Sequence, residues 1–312
     1  MTDWSFDREA IRTFRFVRCG FDPATGVARL VYAFDEGPEL VETVTIPGAP
    51  FALDGTHAEA VERALRLLHL VAGVSYYKAA VPAGIRIEGY DIDADTAALM
   101  ETIYRQGLGE FAYRNGIELE GRIVFPAKGA AASAAHTGEG KGDSALVAIG
   151  GGKDSLVTIE ALRAAGVSQT VTWIGGSQLI AACAARTGLP TLNIGRQLAP
   201  ELFDFNRQGA LNGHIPVTAV NSAILVLAAV LRGDAQVVFS NARSASYGSV
   251  IPGTGEVNHQ WSKGWDFERR FEREILPHLD AGELAIEPLL QPVGEHRIPP
   301  VLWDQVRAHF GA

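Results

Sequence analysis

Gly150-Gly151-Gly152-Lys153-Asp154-Ser155 places three successive glycines, a cation, an acid and a hydroxyl within six residues. Backbone without side chains can approach an anion closely and can take positive φ at little cost. The run is preceded by an apolar stretch, Ala145–Ile149, and followed by a stretch with helix periodicity, Ser155–Ala165. A helix starting there aims its free N–H groups and the positive end of its dipole at the glycines. A glycine-rich turn that merely joins strand to helix is the bland alternative. With both flanking elements present, phosphate binding is the better reading.

The elements that must hold this loop fall into two groups. From residue 143 on, short strands apolar on both faces (Ala145–Ile149, Thr170–Ile174, Thr191–Ile194, Val237–Ser240) alternate with helical stretches (Ser155–Ala165, Gln178–Arg186, Val217–Leu231). Gly166 and Gly188 stand at the helix stops. This pattern predicts an α/β fold, a parallel sheet covered by helices on both faces. Over 1–127, strands at Thr13–Cys19, Ala28–Phe34, Leu40–Ile46 and Gly84–Ile87 accompany helices at Ala58–Val71 and from about Asp95 to Arg114. That half reads as a separate α+β domain with a mostly antiparallel sheet. Asp91, Asp93 and Asp95 read as a capping run at the second helix. Between the halves, residues 128–142 are almost all small or polar and read as a linker. The proline-bearing tail beyond Glu283 reads as irregular.

Composition narrows the partners. The 312 residues are 47% hydrophobic and 20% charged with net charge −9 and no lysine- or arginine-rich tract, which disfavours a nucleic-acid partner. Cys19 and Cys183 lack metal or redox spacing and read as ordinary thiols of a reducing compartment. Met1 to Asp7 has no signal-peptide pattern, and Val217–Leu231 is too short and too polar, with Thr218, Asn221 and Ser222, to span a bilayer. The expectation is a soluble cytoplasmic protein.

Two familiar phosphate loops do not fit. A Walker A loop requires Ser or Thr after the lysine, where this chain has Asp154, and the dinucleotide fingerprint requires a glycine where none occurs until Gly166. The run resembles the S-G-G-x-D-S loop of the N-type ATP pyrophosphatases, with Gly150 in place of the first serine. That resemblance implies ATP, bound through Gly150, Gly151, Gly152, Lys153, Asp154 and Ser155, with Asp154 available to Mg²⁺. It also implies an adenine-nucleotide α-hydrolase-like sheet.

Further segments narrow the family. Ser240-Asn241-Ala242-Arg243 follows the last strand, where ligands gather in parallel sheets. Glu256 to Lys263, Asp266-Phe267-Glu268, Asn212 to Thr218 and Ser75-Tyr76-Tyr77-Lys78 complete the set. Together they resemble the MurL-type epimerases, which act with ATP on UDP-N-acetylmuramoyl-L-alanyl-L-glutamate. The resemblance implies that adenylation of the glutamate carboxylate acidifies its α-proton. It also implies a UDP-sugar dipeptide as small-molecule partner, recognised with the help of the N-terminal half.

For individual residues, two readings stand side by side. His259 and Lys263, four apart, are acid/base candidates, or polar side chains of a solvated loop. His214 faces the site at the start of the helix that Pro216 introduces, or caps and packs there. Ser240 and Asn241 join the nucleotide site by position. Arg243 suits a phosphate or carboxylate, or a surface ion pair. Tyr76, Tyr77 and Lys78 contact the uracil and diphosphate of the carrier, or the tyrosines pack in the core. Other ATP pyrophosphatases, amide-forming or RNA-thiolating, and a non-catalytic nucleotide-binding module are the competing functions. Acidity counts against RNA thiolation, and the reactive groups after Ser240 count against a mere sensor.

Overall fold

The computed structural model describes residues 4–128, 144–241, 246–251, 255–258, 260–279 and 285–288. Three strands open it, β1 (Thr13–Asp22), β2 (Val27–Phe34) and β3 (Leu40–Thr45), followed by α1 (Gly55–Ala72) and the short α2 (Val74–Tyr77). Next come β4 (Gly84–Ile87), α3 (Ala94–Gly107) and α4 (Gly109–Asn115). The second part alternates as expected: β5 (Ser144–Ala148), α5 (Lys153–Ala164), β6 (Ser168–Ile174), α6 (Gln178–Arg186) and β7 (Thr191–Gln197). Then follow α7 (Glu201–Arg207), α8 (Val217–Arg232) and β8 (Gln236–Phe239). A hairpin, β9 (Ser249–Ile251) with β10 (Gly255–Val257), a 3₁₀ turn at Trp261–Lys263, α9 (Trp265–Leu279) and β11 (Ala285–Pro288) complete it.

Among the described residues, the two parts share one nine-stranded sheet in the order β11-β8-β5-β6-β7-β3-β2-β1-β4. Strands β11, β8, β5, β6 and β7 run parallel, and β3 joins β7 antiparallel. Because β2 is antiparallel to β3, β1 antiparallel to β2, and β4 parallel to β1, the starts of β1 and β4 share an edge with the ends of β5 to β8. The residues beyond Lys128 in the expected linker lie outside the described ones.

Alternation along the strands feeds two cores, since successive side chains point to opposite faces. Leu146, Ile194 and Val237 join the larger core with α1, α3 and α8, while Val147, Val171 and Val238 join a smaller one with Ile159, Leu162 and Ala184. The parallel part is therefore covered on both faces, which explains its doubly apolar strands. Helix α8, apolar nearly all round, packs along α1. No helix among the described residues is long and apolar enough to cross a membrane.

Two local readings change. The long helix foreseen from Asp95 breaks at Leu108, where α3 ends against the start of α8. A Cβ on Gly107 would lie 2.4 Å from Pro216 Cγ, so only glycine permits the approach. The tail read as irregular contains β11, an edge strand whose Pro288 sits at its end, where a missing N–H is tolerated. Strand β3 turns Glu42 into the core, fully buried beside Arg196 of β7. Asp93 caps α3 as expected, accepting from Thr96 N at 2.8 Å.

Candidate functional site

The glycine loop leaves β5 at the point where the sheet's connections diverge. Going forward, the chain moves from β5 to β6 and β7 on one side. It later returns to place β8 on the other. Ligands of open α/β sheets collect at such a switch point, outside the carboxyl ends of the strands. Gly151 has φ +79, a conformation that favours glycine, and Gly152 is the extended N-cap of α5, with no side chain capping the helix. A Cβ added at Gly150 or Gly152 would meet nothing within 4 Å. The first turn of α5 thus presents amides to open space, a geometry suited to an anion.

Three side chains of the loop have defined positions. Ser155 is buried, and its hydroxyl donates to Gly152 O at 2.9 Å, so it anchors the loop in this state rather than pointing outward as a free donor. Lys153 Nζ lies 2.9 Å from Asp154 Oδ1. Asp154 has no metal-binding cluster around it, since no group of three His, Cys, Asp or Glu side chains fit for a metal occurs among the described residues. An ion here would depend on phosphate oxygens for most of its ligands, the usual arrangement for Mg²⁺.

Both neighbouring strands deliver residues to the same edge. The register pairing Val147 with Val238 brings Ser240 and Asn241 level with Ile149 and Gly150. Ser240 Oγ is buried without a hydrogen-bond partner, an arrangement that suits a ligand hydrogen bond. Asn241 Nδ2 donates to Glu268 Oε1 of α9 at 2.5 Å. Burial pushes the Glu268 carboxyl up to about 8, with the Asn241 bond opposing it. On the other side, Gly175-Gly176-Ser177 follows β6. Gly175 has φ +92, and Ser177 caps α6 by accepting from Ile180 N at 3.4 Å. Ile180 Cγ1 would lie 3.5 Å from a Cβ on Gly151, so the start of α6 lies close to the glycine loop. The sequence singles out the segment holding Glu268 but gives that residue no role, and this second turn went unread. A repeat of strand, Gly-Gly and helix was the available signal for the turn. For the burial of Glu268 and its contact with Asn241 there was none, because both depend on α9 docking.

A second cluster joins distant segments on the same edge. Lys78 Nζ donates to Asn212 Oδ1 at 2.6 Å and to Gly213 O at 3.2 Å, and burial lowers its ammonium pKa. His214 is half-buried just beyond, before Pro216 begins α8. Since β7 and β8 are parallel, α8 must return the chain from the carboxyl edge, which puts His214 toward the site's side of the sheet. Tyr76 and Tyr77 are corrected from carrier contacts to core residues. Both are fully buried, Tyr76 stacking on Tyr32 and accepting from Ala199 N at 3.0 Å, Tyr77 donating to Pro82 O at 3.1 Å. Neither ring has a face left for a base.

Lys263 ends the 3₁₀ turn with an exposed side chain, and that turn packs against α8, α3 and α9. His259 and Arg243 lie outside the described residues.

Comparison with known proteins follows the same line. A family model described as the MurL N-terminal domain matches residues 5–284. A UDP-N-acetyl-alpha-D-muramoyl-L-alanyl-L-glutamate epimerase of Xanthomonas oryzae pv. oryzae is 66% identical over 310 residues, 99% of this chain and 68% of that protein. Proteins of the same name from Salinispora tropica and a Micromonospora species are 40% and 38% identical, each over 85% of this chain and over 58% and 60% of their own lengths. No solved structure matches.

Proposed function

This chain belongs to the MurL family, and on that premise we propose that it serves the ATP-dependent epimerisation of the terminal L-glutamate of UDP-N-acetylmuramoyl-L-alanyl-L-glutamate to D-glutamate. The reaction would supply a cytoplasmic precursor for peptidoglycan. The observation that carries the ATP part is the uncapped α5 N-terminus behind three glycines, at the sheet's switch point, with the unpartnered Ser240 hydroxyl level with the loop.

The chemistry explains why an epimerase would need a nucleotide. Removing an α-proton beside an ionised carboxylate gathers two negative charges on adjacent atoms. Transfer of AMP to the carboxylate, with pyrophosphate leaving, removes the first charge and makes the carbonyl a better electron sink. Bound Mg²⁺ would neutralise phosphate charge, and Asp154 is the nearby carboxylate of the loop. The amides of Gly151 and Gly152 would hold the departing pyrophosphate, with Lys153 as its counter-charge. A base then takes the α-proton from one face and an acid returns one on the other, and hydrolysis releases AMP. His214, Lys263 and His259 are the groups proposed for these transfers. Arg243 and Lys78 are proposed to hold the substrate, with the N-terminal half recognising the carrier.

Adenylation is tested by isotope exchange between labelled pyrophosphate and ATP. Exchange is expected only when the L-glutamyl substrate is present. Exchange that ignores the substrate, or none with it, contradicts this reading.

A further inference from the structure

A cavity of about 910 Å³ opens where the chain enters β1 and β4, bounded by the Ala80–Ala83 turn and by residues from Arg114 to Arg122. Four arginines line it, Arg8, Arg12, Arg114 and Arg122, against two acids, Glu9 and Glu118. Two of the four are matched: Arg8 Nε lies 2.9 Å from Glu9 Oε1, and Arg114 Nε lies 2.7 Å from Glu110 Oε1. Among the described residues, the others hold only backbone oxygens. Arg12 Nη1 donates to Glu9 O at 2.7 Å, and Arg122 Nη1 to Val81 O at 3.5 Å. Neither guanidinium pairs with a carboxylate among the described residues. In a chain of net charge −9, unneutralised arginines gathered in one cavity create a local field that favours an anion.

The cavity wall is built with strain. Val81 is buried with φ +49, a conformation that a β-branched residue rarely takes. Its N–H donates to Tyr77 O at 2.9 Å, while its carbonyl meets Arg122. Strain of this kind persists only where the surroundings over-determine it, and it collects at ligand-binding positions.

Position ties the cavity to the glycine loop. Strand directions put both on the same edge of the sheet, with Lys78 and Asn212 next to the cavity through Ala80 and Leu211. From β5 to β1 is five strand spacings, about 24 Å. The molecule in the relatives' name carries glutamate at one end and a uridine diphosphate at the other. Its extended lactyl-alanyl-glutamyl arm alone spans about 10 Å, and the sugar and diphosphate lie beyond. The two ends are separated on the scale of the gap between the two sites.

Resting on the function proposed above, we propose that this cavity receives the diphosphate of the nucleotide-sugar carrier, with Arg12 and Arg122 as its donors, while the glycine loop holds the other polyphosphate. Calorimetry on the purified chain tests it, with uridine diphosphate, ATP and inorganic phosphate as separate arms. Uridine diphosphate is expected to bind whether or not ATP is present. Arg12→Gln and Arg122→Gln should each weaken it about tenfold or more, Glu118→Gln should tighten it, and ATP binding should stay the same in all three. Competition between uridine diphosphate and ATP, or indifference to all three substitutions, overturns the proposal. Inorganic phosphate binding as tightly as uridine diphosphate overturns the carrier assignment. If the arginines govern uridine diphosphate but the chain never adenylates its substrate, the cavity stands and the epimerase reading falls. If adenylation proceeds and the arginines are silent, the reverse holds.

Discussion

Asn241 donates its amide hydrogen to Glu268 Oε1 across 2.5 Å, tying the end of β8 to the first turn of α9. The other carboxyl oxygen, Oε2, is buried without a hydrogen-bond partner, and Glu268 is only 4% exposed. The bond therefore fixes one wall of the candidate site through a carboxyl that burial keeps protonated at neutral pH.

That proton has a measurable consequence. Glu268 titrates at about 8 when folded, raised from 4.5 by burial. A group with a raised folded pKa contributes stability that is fully present below its unfolded value and is lost as pH rises through the folded one. Wild-type protein should lose on the order of 3 kcal/mol between pH 5.5 and 8 relative to Glu268→Gln, whose amide cannot ionise. Urea unfolding of both proteins at the two pH values checks it, and parallel curves would contradict it.

The glycine loop separates two kinds of substitution. Gly150→Ala adds a methyl to open space without positive φ, so stability should change by about 0.5 kcal/mol or less. The methyl intrudes where an anion would sit, so ATP affinity should fall about tenfold or more. Gly151→Ala, at φ +79, should also cost about 1 kcal/mol of stability. Calorimetry and thermal melts distinguish the two, and unchanged ATP binding in Gly150→Ala would contradict the anion assignment.

A buried ion pair sits at the junction of the two strand sets, beside the β3–β7 ladder. Arg196 Nε donates to Glu42 Oε1 at 2.7 Å and Nη2 to Ser75 Oγ at 3.0 Å. Burial pushes the Glu42 carboxyl up, and the Arg196 guanidinium opposes that shift. Removing one partner leaves the other charge buried and alone, so Glu42→Ala or Arg196→Ala should cost about 3–5 kcal/mol. Replacing both by methionine should cost far less than the two single losses together. Denaturant midpoints give the answer, and near-additive losses would show that the pair is not coupled.

Lys78 provides a test of the second cluster. Its ammonium bridges Asn212 Oδ1 and Gly213 O, holding the loop that carries His214. Lys78→Met should cost about 1–3 kcal/mol through the lost charge-assisted bonds. Lys78→Arg should not restore it, because a planar fork cannot replace a compact ammonium. Full recovery by arginine, measured by urea unfolding, would contradict the bridging role.

Periodicity made the parallel half legible, because doubly buried strands and glycine-stopped helices announce themselves in one dimension. Gly166 and Gly188 stop their helices at φ +76 and +66. The glycine loop was legible for the same reason, being local. What escaped depended on long-range partners. Nothing near Glu42 forecasts its burial, because its partner lies 154 residues away. Lys78 and Asn212 were each singled out, yet their contact spans 134 residues and shows only in the fold. Tyr76 and Tyr77 end the short α2 just before a turn, where sequence cannot separate core from rim. The junction of β3 with β7, which makes one sheet of two halves, left no mark in either half's pattern.

In the proposed reaction a carboxylate is activated so that its neighbouring α-proton can leave and return. Incubation with ATP, Mg²⁺ and the L-glutamyl substrate in heavy water measures this directly. Deuterium at the glutamate α-carbon, appearing together with AMP and only when ATP is present, is the predicted result. AMP released with the α-hydrogen fully retained would contradict it.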